Sequence, residues 1–247
     1  RNHGRVGASG LRDVAHAQPL GMQGSDRRVG LAGCTALQTL DLTGCIGVTD
    51  VWRGCALRTL NLCKTNVTVK ALTGFAMLHK LILSECSEVA DLSALAGCAT
   101  TLRTLNLHKT SVTDVSPLSG FVVLRELNLS YCRGLRDISA LAGCVALHTL
   151  SLSYCRGLTN LSALACCAAS RTLNLSFCAH LTDLSPLTSC SSLHTIDFSW
   201  CDRLADLSAL AGLTMLQILR LARCPNVIDV SGWQAARHCA RSTSRIA

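Results

Sequence analysis

The hydrophobic residues of this chain follow the pattern L-x-x-L-x-L-x-x-C, which begins at Leu37 and recurs along most of the sequence. The nine starts are 20 to 24 residues apart, at Leu37, Leu57, Leu78, Leu102, Leu124, Leu147, Ser170, Leu193 and Leu216. Within a repeat, leucines alternate with small polar residues, as in Leu150-Ser151-Leu152, which is the period of a strand with one buried face. Because one such strand cannot bury its own leucines, the repeats are predicted to stack their strands into a parallel sheet.

The second half of each repeat predicts a turn on the side opposite the strand. Residues 159–164 read Thr-Asn-Leu-Ser-Ala-Leu, with short polar groups before small apolar ones, which suits a capped single turn and is too short for a long helix. At about 4.8 Å per strand, nine strands would form a face about 40 Å long.

The residue pattern of the repeats resembles that of a known family. The run Leu-Ser-x-Cys-x-x-Leu-Thr-Asp-Leu-Ser-x-Leu resembles the cysteine-containing repeats of trypanosomatid leucine-rich-repeat proteins, and Asp183–Leu187 is similar to the short repeats of bacterial internalins. The resemblance covers about residues 31–233. It implies an α/β solenoid of the leucine-rich repeat horseshoe type, with one short parallel strand per repeat and a convex side of short turns or 3-10 helices.

The resemblance also divides the chain. Residues 1–30 are predicted to be a degenerate repeat or a disordered N-terminal segment, residues 31–233 a domain of about nine repeats, and residues 234–247 a basic C-terminal tail.

Thirteen of the 16 cysteines fall in two positions of the repeat. Seven stand at the ninth position, here called the ladder position, where Thr65 and Thr110 are the substitutes, so the thiol is predicted to donate to a neighbouring turn carbonyl. Six follow the convex turn, where Phe75, Phe121 and Leu213 replace cysteine, which predicts a small buried hydrophobe. The sequence contains no C-x-x-C pair, which is the local spacing typical of a zinc site. Sixteen reduced thiols favour an intracellular location, cytoplasmic or nuclear.

The sequence carries no pattern typical of an enzyme. Glycine-rich phosphate loops, a Gly-x-Ser-x-Gly elbow and His-Glu-x-x-His are all absent, so we expect no catalysis, no cofactor and no metal. Seven of the 15 acidic residues share the position before the convex turn, which predicts turn capping and not calcium binding. No apolar run approaches the roughly 18 residues of a membrane span.

The residue directly before the ladder position, here called the pre-cysteine position, carries aromatic rings in four consecutive repeats and arginine in the next. These residues are Tyr131, Tyr154, Phe177, Trp200 and Arg223. The rings can stack into a self-supporting ladder, or they can form an exposed apolar stripe that anchors a partner, and we favour the second.

The second position of the repeat, here called the pre-strand position, carries basic residues. They are Arg103, Arg125, His148, Arg171 and His194, and we name this set the basic edge. A solvated charged face is an equal alternative to a binding role. Between the two positions, the outward columns are small and polar, as in Thr149, Ser151 and Ser153, and predict a floor that a partner can approach closely.

These residues predict a non-catalytic protein-interaction module that binds a protein or peptide on its concave face. The net charge of +8 favours a partner with acidic as well as apolar features. The alternative is single-stranded RNA, with bases stacked on the aromatic rings beside the basic edge. A thiol-based redox sensor is a third hypothesis.

Overall fold

Nine three-residue strands run through the repeats, and each begins at the third residue of the leucine pattern. The computed structural model describes residues 28–29, 36–51, 56–68 and 72–228. The repeat strands are β2 (Thr39–Asp41), β4 (Thr59–Asn61), β5 (Lys80–Ile82), β6 (Thr104–Asn106), β7 (Glu126–Asn128), β8 (Thr149–Ser151), β9 (Thr172–Asn174), β10 (Thr195–Asp197) and β11 (Ile218–Arg220). Two further strands, β1 (Arg28–Val29) and β3 (Asp50–Val51), pair with each other in parallel.

The nine repeat strands form one open parallel sheet in chain order. The register is constant because the fourth-position leucines align, so that Leu150 pairs with Leu127 on one side and with Leu173 on the other. Backbone bonds continue beyond the strands in both directions. The pre-strand N–H of His148 donates to the Arg125 carbonyl at 2.8 Å, and the pre-cysteine N–H of Tyr154 donates to the Ser176 carbonyl at 2.9 Å.

Short 3-10 helices form the side opposite the sheet. They span Ser93–Cys98, Ser116–Leu118, Ser139–Gly143, Ser162–Cys166, Ser185–Ser189 and Ser208–Leu210. Each contains a buried leucine that points into the core, as Leu141 and Leu187 do. The sequence predicted single turns at these places, and the prediction is confirmed.

The core lies between the sheet and the 3-10 layer and consists mainly of leucines that are at most 3% exposed. The two largest fully buried side chains are Phe121, in the post-turn column, and Phe198, at the sixth position of its repeat. Leucine fills this core because each repeat offers the same small set of inward positions to its neighbours. The α/β solenoid prediction is therefore confirmed.

Parts of the predicted domain division lie outside the described residues. These parts are the 234–247 tail and the 1–30 segment apart from β1. Three cysteines also lie outside the described residues, namely Cys34, Cys55 and Cys239. Within the described ranges, no helix has the length and apolar character needed to cross a membrane.

Candidate functional site

The pre-cysteine position has an unusual backbone conformation in every repeat. Gly44 has a φ of 74°, and the eight residues that follow it in the column, none of them glycine, have φ between 56° and 63°. This left-handed conformation costs most side chains about 1–2 kcal/mol. It arises because the chain turns at the strand end, where the Cys132 N–H bonds back to the Leu129 carbonyl at 3.1 Å. The sequence signals this only at Gly44, so sequence reasoning missed it.

The four aromatic residues, here called the aromatic stripe, stack face to face. The ring centroids of Tyr131 and Tyr154 are 4.0 Å apart, those of Tyr154 and Phe177 are 4.0 Å apart, and those of Phe177 and Trp200 are 5.1 Å apart. The planes of neighbouring rings are within 17° of parallel. Shared backbone geometry sends these side chains in one direction, and strand spacing brings the rings into contact.

Both ends of the aromatic stripe are covered. The guanidinium carbon of Arg223 lies 4.6 Å from the Trp200 ring centroid, and the His108 ring meets Tyr131 edge-on at 5.2 Å. The pKa of the Tyr154 hydroxyl is raised, first because it hydrogen-bonds with the Tyr131 hydroxyl. The self-supporting ladder of stacked rings, one of the two arrangements that the sequence predicts, is therefore present.

Charged residues continue the same column before the aromatic stripe. Glu85 lies between Lys64 and Lys109, with Nζ to carboxylate distances of 3.6 and 3.1 Å. The Lys109 hydrogen bond is the first cause that lowers the pKa of Glu85. The column is thus held together by charge in the early repeats and by ring contact in the later ones.

The aromatic stripe remains accessible although it is stacked. Trp200 is 39% exposed, and Tyr131, Tyr154 and Phe177 are half-buried. The polar floor is less open than the sequence predicts, because Ser130, Ser153 and Ser176 are buried, whereas Ser199 is half-buried. Three of the four serines at this position therefore add little exposed surface to the floor, and the Ser130 Oγ lies 3.1 Å from the Ser151 Oγ of the next repeat.

Asparagine side chains on the floor accept hydrogen bonds from the backbone. Asn128 accepts the Ser130 N–H at 2.9 Å, and Asn174 accepts the Ser176 N–H at 2.9 Å. These bonds satisfy the donor at the strand end, just before the pre-cysteine turn. They hold the approach to the aromatic stripe in place.

The basic edge lies at the opposite end of the strands from the aromatic stripe. Arg103, Arg125 and Arg171 are exposed, and His148 and His194 are half-buried. Each histidine donates its Nδ1–H to a carbonyl two residues earlier, His148 to Ala146 at 2.5 Å and His194 to Ser192 at 2.6 Å. The strands separate the two sets, so the structure does not bring the predicted site residues together into one pocket.

The ladder thiols link successive repeats. Cys155 donates to the Leu129 carbonyl of the preceding repeat at 3.3 Å, and Cys178 donates to that of Leu152 at 3.3 Å. The predicted donor role is confirmed, but the threonines act differently. Thr65 and Thr110 donate to the sixth-position carbonyls of their own repeats, Leu62 and Leu107, at 2.7 and 2.8 Å. Cysteine and threonine are therefore not interchangeable here.

The post-turn thiols form a second set of contacts. Cys144 and Cys190 donate to the Leu118 and Leu164 carbonyls of the preceding repeats at 3.4 and 3.1 Å. The sequence predicted only hydrophobic packing at this position, because the phenylalanine and leucine substitutes carry no donor. The thiol adds a weak hydrogen bond to that packing.

Burial also decides the reactivity of these thiols. Desolvation raises the pKa of Cys144 to about 11 and of Cys155 to about 12. Such groups hold very little thiolate at neutral pH, which counts against a redox sensor built on the ladder. Among the described residues, no group of three or more histidine, cysteine or acidic side chains could hold a metal ion.

The aspartates before the convex turn cap it, as predicted. The Ser139 N–H donates to Asp137 at 2.8 Å, and the Ser185 N–H donates to Asp183 at 2.8 Å. These backbone bonds are the first cause that lowers the pKa of both carboxyl groups. Asn160 accepts the equivalent Ser162 N–H at 2.7 Å, so the cap needs an oxygen and not a charge.

Comparisons with known proteins place this fold among leucine-rich repeats. Residues 100–143 match the family model described as Leucine Rich repeats (2 copies). No curated protein matches the chain in sequence. The structure is similar to internalin C2 from Listeria monocytogenes, with a TM-score of 0.55 at 25% identity over 67% of this chain and 70% of that chain.

Two further solved structures are similar at 17% identity. One is the functional domain of InlJ from Listeria monocytogenes, which includes a cysteine ladder, with a TM-score of 0.60 over 83% of this chain and 49% of that chain. The other is the leucine-rich repeat ectodomain of the plant receptor kinase GASSHO1/SCHENGEN3 from Arabidopsis thaliana, with a TM-score of 0.51 over 75% of this chain and 24% of that chain. The leucine-rich repeat prediction is confirmed. The resemblance to trypanosomatid repeats stays a prediction.

Proposed function

We propose that this leucine-rich repeat chain is a non-catalytic protein-interaction module, which binds a protein or peptide on the outer face of its sheet through the aromatic stripe. The observation that carries the proposal is the stripe itself. Four rings at successive repeats lie outside the leucine core, and Trp200 is 39% exposed. Exposed aromatic side chains in a fixed arrangement are typical anchors of protein interfaces.

Structural relatives support a role in protein binding. Leucine-rich repeat proteins typically act as interaction modules. The plant receptor ectodomain was solved in complex with CASPARIAN STRIP INTEGRITY FACTOR 2. At 17% identity this similarity extends only to the fold, so support for the binding face comes from the residues of this chain alone.

The stacked rings count against the RNA alternative. Tyr154 and Phe177 each have a ring on both faces, and Trp200 has Phe177 on one face and Arg223 on the other. Sequence-tolerant binding of single strands needs free ring faces on which bases stack. A base could reach a face only by opening a contact that already exists.

The intracellular location rests on the thiols. All 13 described cysteines are free, and each of the 11 buried ones donates to a backbone carbonyl of its own or a neighbouring repeat. Reduced thiols in this number suit a reducing compartment. The location stays a prediction.

A peptide library selected on the wild-type protein tests the proposal. We expect the selected peptides to lose binding to a variant with Tyr154→Gly and Trp200→Gly, in which glycine suits the left-handed backbone and so limits damage to folding. The matched control is Val122→Thr with Val145→Thr, which removes exposed apolar side chains before the strands, away from the aromatic stripe. Unchanged binding to the glycine variant, or a library that yields no binder, would contradict the proposal.

A further inference from the structure

The aromatic stripe presents ring edges, and not ring faces, to its surroundings. The planes of neighbouring rings are 13° to 17° from parallel, and the centroids are 4.0 to 5.1 Å apart, so each face is covered by the next ring. An aromatic ring carries negative charge density on its faces and positive charge density on its edge. The accessible surface of the stripe is therefore weakly electropositive as well as apolar.

The outer face of the Trp200 ring, on which a cation could lie, is already occupied. Arg223 lies 4.6 Å above the Trp200 ring and takes the cation–π position at that end of the stripe. At the other end, the His108 ring covers Tyr131 edge-on. A cationic ligand thus finds no free ring face along the stripe.

Arginines flank the tyrosine end of the stripe. Arg133 and Arg156 directly follow the ladder cysteines of the two tyrosine repeats, and both are exposed. Arg156 is close enough to the Tyr154 hydroxyl to act on it electrostatically. Arg136 lies beside them, with its Cγ 3.0 Å from the place that a Cβ at residue 157 would take.

These arginines have no internal counter-ion. Within the described residues, both ion pairs are made by Glu85 with lysine, and none is made by an arginine. The residue that corresponds to Arg156 is Ala179 in the phenylalanine repeat and Asp202 in the tryptophan repeat. Positive charge without a partner is therefore concentrated beside Tyr131 and Tyr154.

We infer that the aromatic stripe, together with Arg133 and Arg156, recognises a carboxylate-rich peptide segment whose apolar side chains lie on the ring edges. This inference rests on the proposed function and names the chemistry of its partner. Carboxylates complement both the arginines and the electropositive ring edges, whereas a lysine-rich segment would meet repulsion from both. The tyrosine end supplies the charge, and the Phe177–Trp200 end supplies apolar area.

Three synthetic peptides of equal length test the inference by fluorescence anisotropy. They repeat the units Glu-Glu-Phe, Gln-Gln-Phe and Lys-Lys-Phe. We expect the glutamate peptide to bind at least about tenfold more tightly than the glutamine peptide, and the lysine peptide not to bind. The preference for glutamate should shrink as salt is added, because the charges are exposed.

Substitutions of the arginines then test which side chains supply the positive charge that binds the glutamate peptide. Arg133→Gln with Arg156→Gln should weaken the glutamate peptide about fivefold and leave the glutamine peptide unchanged, since exposed ion pairs contribute little each. Arg133→Lys with Arg156→Lys should retain most of the affinity. Arg58→Gln is the matched control, because Arg58 is exposed, stands at the pre-strand position of an early repeat and lies far from the aromatic repeats.

The possible contrary results distinguish failure of this inference from failure of the proposed function. Equal affinity for the glutamate and glutamine peptides would overturn the inference and leave the proposed function standing. If the Tyr154→Gly and Trp200→Gly variant bound the glutamate peptide as wild type does, attraction to charge alone would explain binding and both proposals would fail. Displacement of the glutamate peptide by polyuridylate at equal charge concentration would overturn the inference in favour of nucleic acid.

Discussion

Phe177 stacks on Trp200 with ring centroids 5.1 Å apart and planes 13° from parallel, although both residues hold a left-handed backbone, with φ of 61° and 63°. The conformation costs about 1–2 kcal/mol per residue, and an aromatic pair contributes about 0.5–1.5 kcal/mol beyond its buried area. The two terms are of similar size. Contact between repeats therefore offsets a local conformation that would otherwise favour glycine.

This balance predicts a reversal of the usual order of alanine and glycine. Phe177→Ala and Phe177→Gly both remove the ring, but only glycine adopts the left-handed conformation without strain. We expect the glycine variant to be more stable than the alanine variant by about 1 kcal/mol, measured by urea unfolding.

The control for this reversal lies in the same repeat. Thr182 is exposed and does not have a positive φ. Thr182→Ala should be more stable than Thr182→Gly, because glycine there only adds freedom to the unfolded chain. The same order of alanine and glycine at both positions would show that the left-handed backbone carries no measurable strain.

The thiol ladder predicts different effects for two substitutes of similar shape. Cys178 is fully buried and donates to the Leu152 carbonyl of the preceding repeat at 3.3 Å. Cys178→Thr keeps a donor, as Thr65 and Thr110 do, whereas Cys178→Val has none. We expect the threonine variant to be more stable than the valine variant by about 1 kcal/mol.

Thermal and urea unfolding of the two variants measure this difference. Both should be less stable than wild type, because neither hydroxyl nor methyl renews the link to the preceding repeat. A valine variant as stable as the threonine variant would mean that the ladder position acts through packing alone.

Alkaline pH should weaken the fold through the buried thiols. Desolvation, and then the neighbouring Cys132, raise the pKa of Cys155 from 9.0 to about 12. The folded state keeps this proton where the unfolded chain has lost it, so the contribution to stability is full below about pH 9 and is lost as pH rises towards about 12. The urea midpoint of wild type should fall over this range.

A variant separates this effect from other alkaline groups. Cys155→Ala should lower the midpoint at neutral pH, and its midpoint should then fall less than that of wild type as pH rises. Parallel falls in the two proteins would show that the Cys155 thiol does not contribute to the alkaline loss of stability.

The fold was largely predictable, because period and composition repeat nine times. The Leu150 and Leu152 alternation fixes the strand, and the Asp183 column fixes the turn. Ladder thiols were predictable as donors from their threonine substitutes. The carbonyl that accepts each bond was not predictable. Cys178 donates to a carbonyl of the preceding repeat, whereas Thr110 donates to one of its own repeat, and only the three-dimensional stacking of repeats distinguishes the two acceptors.

The site was predictable in composition but not in conformation. The column of Tyr131, Tyr154, Phe177 and Trp200 was visible as a pattern, and ring stacking was one of its two interpretations. The left-handed backbone was hidden, because one glycine among nine residues gives no statistical signal. The burial of Ser153 was hidden as well, since alternation assigns every second residue to the outer face and takes no account of neighbouring side chains.

The carboxylate of Asp183 caps the convex turn of its repeat. Asp183 accepts the Ser185 N–H at 2.8 Å, and Asn160 accepts the same bond in the preceding repeat at 2.7 Å. Asp183→Asn should therefore leave the urea midpoint at neutral pH nearly unchanged, whereas Asp183→Ala should lower it, because the alanine leaves the N–H without this acceptor. Because the hydrogen bond lowers the pKa of Asp183 in the folded state, its contribution is present above the unfolded pKa of about 3.9 and is lost as pH falls through the folded value. Wild type should then lose stability relative to the asparagine variant in acid. A constant difference between the two proteins from neutral pH to about pH 2 would show that the carboxylate does not titrate with folding.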